Sequence, residues 1–170
     1  MNDLAETPEA SRTAHKSDPG LLAIYLQDHH AAGVAGVRLA RRVGTRAGGG
    51  SGLAALAEEI AEDLRTLERI MSELGVDTSR AKDASARALE WMGRLKPNGR
   101  LVGRSPLSDL LELEMLVVGI TGKQALWQSL GTVPSISDED LEQLLERAEG
   151  QKRRVEAERL GAARRAWQTS

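Results

Sequence analysis

The residues of this chain with the means to do chemistry are three histidines (His15, His29 and His30) and a set of carboxylates spaced along amphipathic stretches. Imidazole and carboxylate together can ligate iron, zinc or manganese, or move a proton. There is no cysteine, which excludes a thiol nucleophile, a cysteine-ligated zinc site, an iron–sulfur cluster and a disulfide framework. No nucleophile–base pair stands out. Gly48-Gly49-Gly50 lacks the preceding strand and the lysine of a phosphate loop and reads as a linker.

Glu114 is the most informative polar position, because it stands among Leu110, Leu111, Val117 and Val118 at spacings of three and four. A carboxylate inside an apolar helix costs several kcal/mol unless it is paired, protonated or bound to metal. Glu114 is therefore expected to be enclosed and neutralised, with Lys123, His29 and Lys152 as candidate partners. Asp28 and His29 are expected on the core side of the first helix, and Gly33 and Gly36 beside them to admit another backbone closely. Gln151 or Lys152 must fill the apolar stripe between Ala148 and Val155. The expected core polar layer is thus Asp28, His29, Glu114, Gln151 and Lys152. Glu58 and Glu59 suit the positive end of a helix, and Glu62, with arginine at helical spacing, reads with them as a solvated face. Asp63 lies too far along to gain from that end and borders the stripe of Ile60 and Leu67.

The elements that must position these residues are helical. Leu and Ala number 24 and 23, while Ile and Val together number 14. That balance favours helix formers over the residues that strands prefer. Asp18-Pro19 opens a first helix to about Thr45, with the proline where no intrahelical N–H bond is needed. A second runs from a cap at Ser51 along Leu53, Leu56, Ala57, Ile60, Leu64, Leu67, Met71 and Leu74 to Gly75, a suitable terminator. A shorter helix is expected from Thr78 or Ser79 through Trp91 and Met92 to Leu95. The next begins at Ser105-Pro106, is apolar almost all round and ends at Gly131. The last opens at Ser137, with Asp140 completing a capping box, and runs to Trp167. Short loops make antiparallel neighbours, whereas the long middle stretch lets the second and third long helices lie parallel. The expected division is a disordered tail over 1–17 and one all-α bundle over 18–170.

That helix order, the long crossover and the run Leu67-Glu68-Arg69-Ile70-Met71-Ser72-Glu73-Leu74-Gly75 resemble the ferritin-like superfamily, in particular small bacterial ferritin-like stress proteins. Tyr25-Leu26-Gln27-Asp28-His29 and Gly119-Ile120-Thr121-Gly122-Lys123-Gln124-Ala125-Leu126-Trp127 are similar to stretches of actinobacterial proteins of like length. The resemblance implies a four-helix bundle with a long crossover containing a short extra helix, over roughly Pro19 to Trp167. Its metal-binding members place one Glu on each of two helices and Glu-x-x-His on each of the other two. This chain has no Glu-x-x-His. The matching spacing on the last helix is Glu149-Gly150-Gln151-Lys152, where a protonated lysine has no lone pair for a metal.

The expectation is therefore a non-enzymatic bundle without a complete di-metal site or cofactor, acting as a structural, stress-related or protein-interaction module, as a homodimer. Met71, Met92, Trp91 and Trp127 are candidate interface contributors. The alternative is a carboxylate-rich iron or manganese protein using Asp28, His29, Asp63, Glu114 and Glu149. A net charge of −2 gives no reason to expect nucleic acid as a partner. The arginines at 38, 41, 42, 46, 153, 154, 164 and 165 have the chemistry to meet phosphate, but the helix dipole favours them there without it. No apolar run spans a membrane and no signal segment leads the chain, so the expected location is the cytoplasm.

Overall fold

The computed structural model describes residues 19–47, 52–78 and 106–168. These form four helices, α1 (Pro19–Arg46), α2 (Gly52–Glu73), α3 (Pro106–Leu130) and α4 (Asp138–Trp167), and no strand occurs among the described residues. The tail expected at 1–17, the caps at Asp18, Ser51 and Ser105, the break at 48–50 and the short helix expected beyond Thr78 lie outside them. No helix among the described residues is long and apolar enough to cross a membrane.

Local chemistry accounts for where the helices stop. Gly75 takes φ +69°, its N–H bonds Ser72 O at 3.1 Å and the Val76 N–H bonds Met71 O at 2.8 Å. This pair of bonds satisfies the last carbonyls of α2 in a left-handed cap that glycine adopts without a Cβ clash. At the start of α4, Ser137 is the extended N-cap residue but its side chain makes no capping bond. The expected capping box is therefore absent. An Asp at the third helical position is one methylene shorter than the Glu or Gln that usually reaches back.

Consecutive helices pack as antiparallel pairs. On α1 and α2, Arg41 meets Glu58 near one end and His30 meets Glu68 toward the other. On α3 and α4, Glu114 meets Arg159, and Gln124 meets Glu149. Helix α1 also runs antiparallel to α3, since Tyr25 bonds Ser129 while Arg42 and Arg46 pair with Glu112. Helices α2 and α3, each antiparallel to α1, are therefore parallel. The chain leaves α2 at one end of the bundle and enters α3 at the other.

The apolar side chains form two clusters. One gathers Val37, Leu39, Leu53, Leu56, Ile60, Leu113, Leu116 and Ile120; the other gathers Leu26, Leu67, Ile70, Met71, Leu126, Trp127, Leu130 and Leu141. Met71 and Trp127 are thus core residues, not surface contributors. Trp91 and Met92 lie outside the described residues. Along α2 and α3 the clusters are divided at Asp63 and Lys123, and there the site lies.

Candidate functional site

The buried polar layer is built on α2, α3 and α4. Asp63 is 2 % exposed and Gln151 is fully buried. The ammonium of Lys123 donates to Asp63 Oδ2 and to Gln151 Oε1. Gln151 Nε2 in turn donates to the same Asp63 oxygen at 3.0 Å and reaches Glu59 at 3.4 Å. Arg147 pairs with Asp63 Oδ1 through charge, without the alignment of a hydrogen bond. Arg154 closes the outer edge on Glu59 with two bonds, and this guanidinium holds the Glu59 carboxyl below the usual carboxylate range. Burial lowers the pKa of Lys123, while Asp63 opposes that fall.

Helical spacing explains why these residues meet. Leu56, Ile60, Asp63, Leu67 and Ile70 follow alternating steps of four and three, as do Leu116, Ile120, Lys123, Trp127 and Leu130. Leu144, Ala148, Gln151 and Val155 do the same on α4. Asp63, Lys123 and Gln151 therefore occupy seam positions in three helices.

Of the residues expected in the layer, Gln151 lies in it. Lys152, the next residue, is half-buried outside the network. Asp28 is exposed on α1. His29 is half-buried and stacks edge-on against Tyr25, with ring centroids 4.5 Å apart. Burial lowers its pKa, and Asp28 partly opposes the shift. Glu114 is not enclosed: its side chain is 44 % exposed and pairs with Arg159 at 3.7 Å. The seam of α3 runs through Leu113, Leu116 and Ile120, one position to the side of it. Of the proposed metal ligands Asp28, His29, Asp63, Glu114 and Glu149, only Asp63 is in the layer. Glu149 is held by Gln124 at 2.9 Å. No group of three or more His, Cys, Asp or Glu side chains suited to a metal occurs among the described residues.

Sequence reasoning missed Lys123 and Asp63 as a buried pair, and His30. His30 is buried, and its Nε2 lies 3.0 Å from Glu68. The arginines ending α1 are engaged by acids, Arg41 by Glu58 and both Arg42 and Arg46 by Glu112.

Beside the layer, a cavity of about 270 Å³ opens between α1, α2 and α3. Its walls are apolar, with Asp63, Lys123 and His29 among the lining residues and Gly33, Gly36, Gly119 and Gly122 along two of its sides. Gly36, Gly119 and Gly122 have nothing within 4 Å of where a Cβ would stand, and a Cβ on Gly33 would meet the side chain of Leu64. The expected close backbone approach at Gly33 and Gly36 is instead found at Gly44, where a Cβ would lie 2.9 Å from Leu53 O. Among known proteins, no family model, curated protein or solved structure matches this chain.

Proposed function

We propose that the chain is a ferritin-like bundle that works without a di-metal centre, as a structural or binding module and not as an oxidase or iron store. The ferritin-like part of this reading is supported by the two antiparallel hairpins, the parallel α2 and α3, and the end-to-end link between them.

One observation carries the metal-free part. The ammonium of Lys123 sits between Asp63 and Gln151, where inward-facing side chains of such a bundle would otherwise converge on a metal. Arg147 adds a second positive charge on the same carboxylate. Ammonium and guanidinium groups offer no lone pair and repel a cation. The donor set does not fit iron or manganese.

Elemental analysis of chain purified without chelator tests this, and substoichiometric, variable metal is the expected result. Near-stoichiometric iron or manganese overturns it. The proposed assembly is a homodimer, supported by exposed apolar Leu21 and Ile24 on α1. Light scattering reads the assembly directly, and a monomer overturns the dimer while leaving the metal-free reading standing.

A further inference from the structure

Two hydrogen-bond donors on residues that line the cavity lack a full set of partners. Trp127 lines the cavity, is 1 % exposed, and its Nε1 has no hydrogen-bond partner among the described residues. Buried indole N–H groups normally find an acceptor, and leaving one unmade costs roughly 1–3 kcal/mol. Lys123 stands one helical turn earlier on the same wall. Its ammonium has three protons, of which Asp63 and Gln151 accept two.

Charge points the same way. Asp63 and Glu59 supply two negative charges to the bonded network, while Lys123, Arg147 and Arg154 supply three positive ones. Of these groups Lys123 and Asp63 line the cavity, and the one positive charge in excess stands behind its wall, on the arginines. A volume of about 270 Å³ holds roughly nine groups of about 30 Å³, the share of one water in the liquid. Burial lowers the pKa of His29 on the facing wall, so it brings no competing cation at neutral pH.

We infer that this cavity binds a small apolar monocarboxylate, its carboxylate accepting from Lys123 Nζ and Trp127 Nε1 and its hydrocarbon lying along Gly36, Gly119 and Gly122. The inference rests on the metal-free reading, because the third proton of Lys123 is available only if the ammonium holds the layer without a metal.

Isothermal titration of the full chain with octanoate tests it, with 1-octanol and octylamine as probes of the same length. Saturable one-to-one binding of octanoate is expected, with the alcohol at least tenfold weaker and the amine weaker still. Trp127→Phe keeps an aromatic ring but removes the donor, and should weaken octanoate about tenfold with little change for octanol. Gly122→Leu places a side chain in the cavity and should abolish binding of octanoate while the chain still melts cooperatively. Equal binding of octanoate and octylamine, no saturable binding, or undiminished binding by Gly122→Leu would overturn the inference. Elemental analysis of the same preparation separates the two readings: metal in the chain defeats the metal-free bundle, whereas a metal-free chain indifferent to octanoate defeats only the carboxylate site.

Discussion

A carboxylate as buried as Asp63 is stable only while its countercharges stay in place. Removing one member of such a set leaves the others desolvated, which typically costs about 3–5 kcal/mol. Asp63→Asn would leave Lys123 and Arg147 facing each other across a neutral amide. We expect a loss of about 3 kcal/mol in urea unfolding at neutral pH. Glu114→Gln, by contrast, alters a half-exposed pair and should change stability by less than about 1 kcal/mol. Equal losses in the two variants would contradict the burial described here. His29 supplies a pH dependence. Its pKa in the folded chain is lowered from the ordinary 6.5 by burial. As pH falls, the unfolded chain therefore takes up this proton first. Its contribution to stability is full above about pH 6.5 and is lost as pH drops through the lowered value. His29→Gln should flatten that part of a melting-temperature profile. An unchanged slope would assign the dependence to other groups.

At the level of helices, the strongly patterned element was the most legible. The stripe of α2 and its Gly75 cap follow directly from residue type and spacing. The same spacing put Asp63 beside the stripe of Ile60 and Leu67, but offered it only as a candidate metal ligand and not as the partner of a buried lysine. Helix α3 was harder because apolar residues surround it. Val118 is exposed while Leu113 and Leu116 are buried, and hydrophobicity does not distinguish them. The burial of Glu114 was therefore expected on the wrong side of the helix, and Lys123 was offered as its partner when it faces Asp63 on the right one. Glycines carry the element-scale test. A Cβ on Gly44 would stand about 3 Å from Leu53 O and the Ala54 backbone, so Gly44→Ala must push two helices apart and should cost about 1–3 kcal/mol. Gly119 is helical with open space where a Cβ would go, so Gly119→Ala should stabilise by about 0.5–1 kcal/mol. Thermal melts of both variants read the opposite signs, and a stabilised Gly44→Ala would refute the close approach.

The described residues form two hairpins held face to face, with a polar layer between two apolar clusters that both hairpins share. The pairing within hairpins was legible from short loops, and the parallel α2 and α3 from the long middle stretch. The partners inside the layer were not, because their meeting depends on helix rotation across separate hairpins, which periodicity along one helix does not specify. Replacing Asp63, Lys123, Arg147 and Gln151 together by Leu, Met, Met and Leu removes the ion network and leaves Glu59 paired with Arg154, so no charge is stranded. Such a chain should be as stable as the parent or more so by about 1–4 kcal/mol, as measured by chemical unfolding. A loss comparable with that of Asp63→Asn would instead show that the polar layer contributes net stability.

The bonds of Asp63 reach partners 60 and 88 residues away, on α3 and α4, whereas the two helices of each hairpin are close neighbours in sequence. Local contacts assemble early and distant ones late. The network around Asp63 should therefore form after the folding barrier has been crossed. Stopped-flow measurements on Asp63→Asn should show faster unfolding at a nearly unaltered refolding rate. A slowed refolding limb would instead place the layer in the nucleus. On the expected outcome, these charges act as a latch, setting how long the assembled hairpins stay together and not how quickly they find each other.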